Sequence, residues 1–339
     1  METVRIAHLS DLHVAELANA DSFPKALGRL FAGRSGALGM PPGPRRKFAW
    51  FASYDAQALK TLIHFLRELH EDSHPLDAIV VTGDLATTGR RNDQIKAWQL
   101  VADSGNHNGE SLAAIGPPVH VMPGNHDRYG GIPIVAPTYG TEFDVVFTSW
   151  KASRGVQRFP SIGSRNGKEQ LEVVAADFTR PNASPLPHAW PLPIDGTGEV
   201  DVPTLDNLER TTMNLNSSAV LWAVHFPPRL GADCPKELHT VSLNHRLVGG
   251  DAVLARAAKC GVFGVICGHV HNNCSYIDRT GVRVSVAGSA SQFKTRFGHW
   301  AHLLEFDVDG GVILAARILD LFQDRSPRGW GICGYSRSF

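Results

Sequence analysis

Along the chain, short apolar runs rich in β-branched residues alternate with longer stretches whose apolar positions recur every three or four residues. The first pattern predicts buried strands and the second amphipathic helices that cover them. The predicted strands are Val4 to Leu9, Ala78 to Thr82, Val119 to Met122, Leu171 to Ala176, Ala219 to Val224 and Val262 to Ile266. Helical spacing falls at Tyr54 to Glu71, where Leu59, Leu62, Ile63, Leu66 and Leu69 share a stripe, and at Asn92 to Asp103, Val202 to Asn214 and Asp251 to Lys259. This alternation predicts an α/β protein. Three later runs, Val282 to Ala287, Ala301 to Phe306 and Val312 to Ile318, are bounded by the turn signals DRTG and DVDGG and predict a closing antiparallel meander.

Two stretches break the rhythm: residues 15–53, with GALGMPPGPRRK inside, and residues 128–168, rich in Gly, Pro and aromatic residues. Connections of this length are unusual in a compact domain, which makes both candidates for segments that cover substrate. No linker divides the chain. The expectation is one catalytic domain over residues 1–320, carrying 15–53 and 128–168 as insertions, with 321–339 as a C-terminal tail.

Composition changes this picture little. Of 339 residues, 43% are hydrophobic and 19% charged, ordinary values for a globular protein, and the formal charge balances to zero. Nothing global draws such a chain to nucleic acid or an anionic membrane. The start METVRIAHLSDLH has no leader pattern and no window approaches a membrane span, so a cytoplasmic location is expected. Five cysteines, Cys234, Cys260, Cys267, Cys274 and Cys333, form neither a disulfide framework nor a zinc spacing, so reduced, packed thiols are expected.

The chemistry lies at the strand ends. The first strand runs into SDLH, the second into GDL, the third into PGNHD, the fifth into HFPP and the sixth into GHVH. In open α/β sheets ligands gather outside the carboxyl ends of strands, so these segments can converge on one site. Alone, Asp11 and Asp84 could cap helices, Asn125 could be a left-handed turn residue, and Asp127 could be an N-cap. As an ordered set, Asp11, His13, Asp84, Asn125, His225, His269 and His271 offer a mixed N/O donor set suited to Mn, Fe or Zn. Seven ligands exceed one tetrahedral ion and suit a pair of ions. Extended backbone would point His269 and His271, two residues apart, to the same side.

The series Asp-x-His, Gly-Asp, Gly-Asn-His-Asp, His and Gly-His-x-His, from Ile6 to about Ser291, resembles the calcineurin-like metallophosphoesterases. VHFPP and VAGSASQ are similar to the bacterial phosphodiesterase branch, which includes cyclic-nucleotide phosphodiesterases. GDLATTG departs from the Gly-Asp-x-Val-Asp-Arg-Gly block of the serine/threonine phosphatases, and Asp127 stands where those enzymes have Glu. The resemblance implies a four-layer αββα sandwich of two mixed sheets and two divalent or mixed-valence transition-metal ions. It assigns Asp11, His13 and His271 to one ion and Asn125, His225 and His269 to the other, with Asp84 bridging. A hydroxide shared by the ions would be the nucleophile, His126 the electrophile or general acid, and Asp127 its orienting partner.

The implied activity is hydrolysis of a small phosphodiester, with a 3′,5′-cyclic nucleotide as the leading substrate. A phosphomonoesterase or a nuclease is the enzymatic alternative, and a non-catalytic module like the related retromer subunit is the other class. The presence of His126 weighs against the module, and a neutral chain without a basic groove weighs against the nuclease. Arginines aimed at a dianion would mark a monoesterase, and Arg128 and Arg229 each stand isolated in the sequence. A homo-oligomer is left open.

Overall fold

The computed structural model describes all residues except 16–53, 88, 106–109, 133–135, 164–166, 168, 180–197, 233, 236–246, 292–297, 324–328 and 339. The first insertion therefore lies, from its second residue onward, outside the described residues. In chain order the strands and helices are β1 (Glu2–Leu9), α1 (Ala56–Glu71), β2 (Ala78–Thr82), α2 (Arg91–Val101), β3 (Val119–Met122), α3 (Asn125–Arg128), β4 (Tyr129–Ile132) and β5 (Ala136–Tyr139). Next come α4 (Glu142–Val146), β6 (Val156–Arg158), β7 (Ile162–Gly163), β8 (Gln170–Ala176), β9 (Gly198–Glu199), α5 (Val202–Met213), β10 (Val220–Val224), β11 (Leu247–Val248) and α6 (Gly250–Lys259). The chain closes with β12 (Gly264–Cys267), β13 (Cys274–Ile277), β14 (Arg283–Val286), β15 (His299–Asp309), β16 (Val312–Gln323) and β17 (Trp330–Ser338).

Two mixed sheets result. The first has the order β17-β16-β15-β1-β2-β3, the second β13-β14-β12-β10-β8-β6 with β7 also on β8. In the first, β1, β2 and β3 run parallel and β15, β16 and β17 add antiparallel on one side; in the second, the central strands run parallel and the outer ones antiparallel. Period-two alternation in β8 and β10 sorts the side chains by layer. Leu171, Val173, Ala175, Leu221 and Ala223 join the first sheet's residues in one core, while Val174, Ala176, Trp222 and Val224 pack with Leu205, Leu208, Val253 and Leu254 of α5 and α6. On the other side, α1 starts at the N-cap Asp55, whose carboxylate accepts from the Ala58 N–H at 2.9 Å. Its buried stripe, Leu59, Leu62, Ile63 and Leu66, belongs to the first sheet's core. The layers are helix, sheet, sheet, helix, as the family resemblance implied.

Four expectations change. The strand Val282 to Ala287 leaves the predicted meander: β14 pairs parallel with β12 in the second sheet, and the meander is β15, β16 and β17. The expected tail at 321–339 is used, since β16 runs to Gln323 and β17 pairs along it, with the Trp330 indole N–H donating to the Ala58 carbonyl. The second insertion is built into the fold. It buries Phe143, Phe147, Trp150 and Phe159 and contributes β6, which pairs antiparallel with β8. Finally, Cys234 and Cys274 form a disulfide, whereas Cys260, Cys267 and Cys333 are free. A reducing compartment does not ordinarily keep such a bond, so the expectation of five reduced thiols is not met. Among the described residues, no helix is long and apolar enough to cross a membrane.

Candidate metal centre

Parallel pairing of β1 with β2, of β2 with β3 and of β10 with β12 carries the loops after these five strands to a common edge. There the loops interlock. The Asp11 and His13 N–H groups donate to the carbonyls of Gly83 and Asp84 at 3.1 and 2.9 Å, and the His269 N–H donates to Asp11 Oδ2 at 2.8 Å. The approach is so close that a Cβ on Gly124 would lie 2.3 Å from Asp84 Oδ1, and one on Gly268 would lie 1.7 Å from Ser10 Oγ. The glycine before three of the five ligand blocks, Gly83, Gly124 and Gly268, is a packing requirement.

Two groups of ligand atoms form, and they share one residue. Asp11, His13, Asp84 and His271 make the first, and Asp84, His225 and His269 the second. His271 Nε2 lies 3.1 Å from Asp11 Oδ1 and 3.0 Å from His13 Nε2. His225 Nε2 lies 3.3 Å from Asp84 Oδ2 and 3.0 Å from Asn125 Oδ1, and His269 Nδ1 lies 3.3 Å from that same nitrogen. All seven sequence-derived ligand candidates thus meet at one place. The reason given for His-x-His does not hold, because neither residue is extended: φ is 71° at His269 and 57° at His271, and the two rings serve different groups. Asp11, His13 and Asp84 are left-handed too, with φ of 54°, 51° and 52°.

Electrostatics fit a cation. Asp11 Oδ1 and Asp84 Oδ2 are buried oxygens that make no hydrogen bond; imidazole nitrogens face them without the alignment of one. Burial drives the His13 imidazole down to about 4, so it is neutral and able to ligate. Burial alone would raise the Asp84 carboxyl, yet the surrounding histidines, His225 foremost, hold it well below the ordinary range. The same pairing raises His225 to about 9 against the effect of burial. A proton is drawn onto His225 where a metal ion would supply the charge. Its Nδ1–H donates to the Thr82 carbonyl at 2.7 Å, which turns Nε2 toward Asp84 and Asn125.

His126 lies beside this cluster, its ring 4.7 Å from that of His13 and edge-on. Asp127 does not orient it, contrary to expectation. The His126 Nδ1–H donates to the Thr87 carbonyl at 2.8 Å. Asp127 instead accepts from the backbone N–H groups of Gly124, Ala86 and Leu85 at 2.9, 2.9 and 3.1 Å and from the Gln94 amide at 3.3 Å. It pins the Asp84 loop to the Asn125 turn. Arg128 is likewise not an isolated surface group: it is buried, with Asp144 at 2.7 Å and Asp177 at 2.9 Å. Arg229 faces Asp251 and Asp278 at 3.7 and 4.0 Å. Among the histidines away from the cluster, His8 is buried against Thr82 Oγ1 at 3.0 Å, His302 against Ser285 Oγ at 2.8 Å, and His299 faces Asp55 at 3.5 Å. His239 and His245 lie outside the described residues. Sequence reasoning passed over Thr87, Gln94, Ser289 and Ser291: Gln94 bonds Asp127, the two serines bond the Asp11 and Leu12 carbonyls, and Thr87 bonds both the His13 carbonyl and the His126 ring.

Comparison with known proteins agrees with this architecture. A dimetal phosphatase from Danio rerio superposes with a TM-score of 0.52 at 14% identity, over 98% of this chain and 97% of that one. GAP50, the anchor in the inner membrane complex of Plasmodium, gives 0.45 at 12% identity over 100% and 89%. Phosphopantetheinyl hydrolase from Mycobacterium tuberculosis gives 0.40 at 14% identity over 85% and 91%. The first of these establishes likeness of fold. A search of curated proteins returned no match. The family model for calcineurin-like phosphoesterases matches residues 4–273, most of the chain, and the protein belongs to that family.

Proposed function

We propose that this metal-dependent phosphoester hydrolase holds two transition-metal ions and acts preferentially on small phosphodiesters, with cyclic nucleotides among its substrates. The observation that carries the reading is the pair of buried donor groups sharing Asp84. Asp11, His13, His271 and Asp84 would hold one ion; His225, His269, Asn125 and Asp84 would hold the other. Bound ions of Mn, Fe or Zn supply positive charge at the phosphoryl oxygens and acidify water. The protein's own residues do the rest. With Nδ1–H committed to Thr87, His126 exchanges its proton at Nε2, the nitrogen left for a leaving-group oxygen. His126 is half-buried and the His271 side chain is 27% exposed, while Asp11, Asp84 and His225 are sealed, so substrate enters on the His126 and His271 side.

The preference for diesters follows from charge. A monoester dianion gains from arginines aimed at its oxygens. Arg128, the arginine closest in sequence to His126, is buried and engaged by Asp144 and Asp177. A singly charged diester needs no such partner. With Mn²⁺-loaded protein, kcat/KM for bis-p-nitrophenyl phosphate should exceed that for p-nitrophenyl phosphate, with measurable turnover of 2′,3′- or 3′,5′-cyclic nucleotides. The two aryl substrates share a leaving group, so a clear preference for the monoester would overturn the proposal in favour of a phosphatase.

A further inference from the structure

The loop Asp11-Leu12-His13 carries two ligand candidates and the left-handed backbone of both, φ 54° and 51°. Outside glycine this conformation costs roughly 1–2 kcal/mol per residue, so something must hold it. The loop's carbonyls reveal what does. Four consecutive ones are capped by two segments far away in sequence. Ser10 O accepts from the Ala290 N–H at 3.1 Å, Asp11 O from Ser289 Oγ at 2.7 Å, and Leu12 O from Ser291 Oγ at 2.6 Å. His13 O accepts from Thr87 Oγ1. The three hydroxyl-bearing residues are buried, at 0%, 0% and 3% exposure. Serines two apart in Gly-Ser-Ala-Ser reach successive carbonyls from one side while the amide between them reaches a third, and Thr87 closes the far end.

Satisfying a buried carbonyl is ordinary, and water or a backbone amide can do it. Three side-chain hydroxyls converging on three successive carbonyls of one strained tripeptide do more: they select the single backbone arrangement in which Asp11 and His13 both face Asp84 and His271. Resting on the two-metal reading above, we infer that Ser289, Ser291 and Thr87 are positioning residues that hold the Asp11 to His13 loop in its left-handed form and so preform one of the two metal positions. Thr87 acts twice, since its carbonyl also holds the His126 ring.

The test is Mn²⁺ titration of metal-free protein by calorimetry, with urea unfolding in chelator run in parallel. Variants are Ser289→Ala/Ser291→Ala, Ser291→Ala alone should the double variant fail to fold, and near-isosteric Thr87→Val with Thr87→Ser as its conservative control. Removing groups behind a ligand typically weakens metal binding about 10- to 100-fold. That loss is expected in one Mn²⁺ equivalent only, the other and the Thr87→Ser control changing by less than about threefold. Variants that bind both equivalents like wild type, with only the unfolding midpoint lowered, would reduce the clamp to a structural cap. Wild-type protein that takes up no Mn²⁺ would sink the two-metal reading and this inference together.

Discussion

Replacing Asp127 by alanine separates two roles that the motif alone confuses. If the carboxylate pinned loops together, its loss would appear as instability; if it oriented His126, the loss would appear in proton transfer. Asp127 serves three backbone donors, on Gly124, Ala86 and Leu85, and the Gln94 amide. A buried donor left without an acceptor costs about 1–3 kcal/mol. Part of that sum is offset, because burial and the nearby Asp84 charge push the Asp127 carboxyl up to about 7, so removing it relieves an unfavourable charge near neutral pH. A net loss of about 2–5 kcal/mol is expected. Urea unfolding of the metal-free protein measures it without contribution from bound ions. Asp127→Asn should recover part of the loss, since its amide oxygen still accepts. Any fall in kcat should be similar for p-nitrophenolate and for poor leaving groups. Stability within about 1 kcal/mol of wild type, with the kcat loss concentrated on poor leaving groups, would restore the carboxylate–imidazole pairing and refute the reasoning.

His126→Ala should keep most of the bound metal yet lower kcat about 10²- to 10⁴-fold, least for p-nitrophenolate, which needs little protonation; an equal loss for all leaving groups would replace proton donation by electrostatic stabilisation. Away from the site, burial holds His120, stacked 5.0 Å from Phe159, down at about 4. Its folded value lies below its unfolded value, so the unfolded chain protonates first and stability falls as pH drops from about 6.5 toward 4. Urea titrations of wild type and His120→Phe should diverge by about 2 kcal/mol at pH 5 relative to pH 7, and parallel curves would show that His120 already protonates freely in the fold.

The sheet strands and the ligand set were legible in the sequence for one physical reason: parallel strands buried on both faces make apolar runs that stop abruptly where function begins. Signals failed where several demands fell on one segment. The edge strand β17 is written WGICGYSRS, and its glycines and polar residues conceal an element whose pairing partner, β16, does the specifying. Insertion 128–168 reads as a loop because its helical spacing, Phe143, Phe147 and Trp150, lasts only two turns and its regular elements are short, α4 spanning Glu142–Val146 and β6 Val156–Arg158. Cys234 and Cys274, 40 residues apart, carry no spacing cue and meet only because β13 folds back on β14 near the loop after His225. Thr87, Ser289 and Ser291 were invisible for another reason, since a hydroxyl that caps a carbonyl looks like any surface serine until the carbonyl's conformation is known.

That conformation explains why the site demands so much support. Five ligand candidates, Asp11, His13, Asp84, His269 and His271, have positive φ, where glycine would be at ease. Glycine would relax the backbone and remove the ligand, so the strain cannot be eliminated without losing the chemistry. Before two of these ligand candidates, Asp84 and His269, the chain places glycine one step earlier, at Gly83 and Gly268, and Gly124 stands likewise before Asn125; at all three the loops cross too closely for a Cβ. At Asp84 and His269, side chain and strain fall on one residue, and close approach on its neighbour. Gly-Asp, Gly-Asn-His-Asp and Gly-His-x-His are therefore the same device at three strand ends: a glycine that lets two loops touch, followed by a ligand held in the position that contact creates. The carbonyl caps and the Asp127 bridge complete the device by giving the buried backbone polar groups around it a partner.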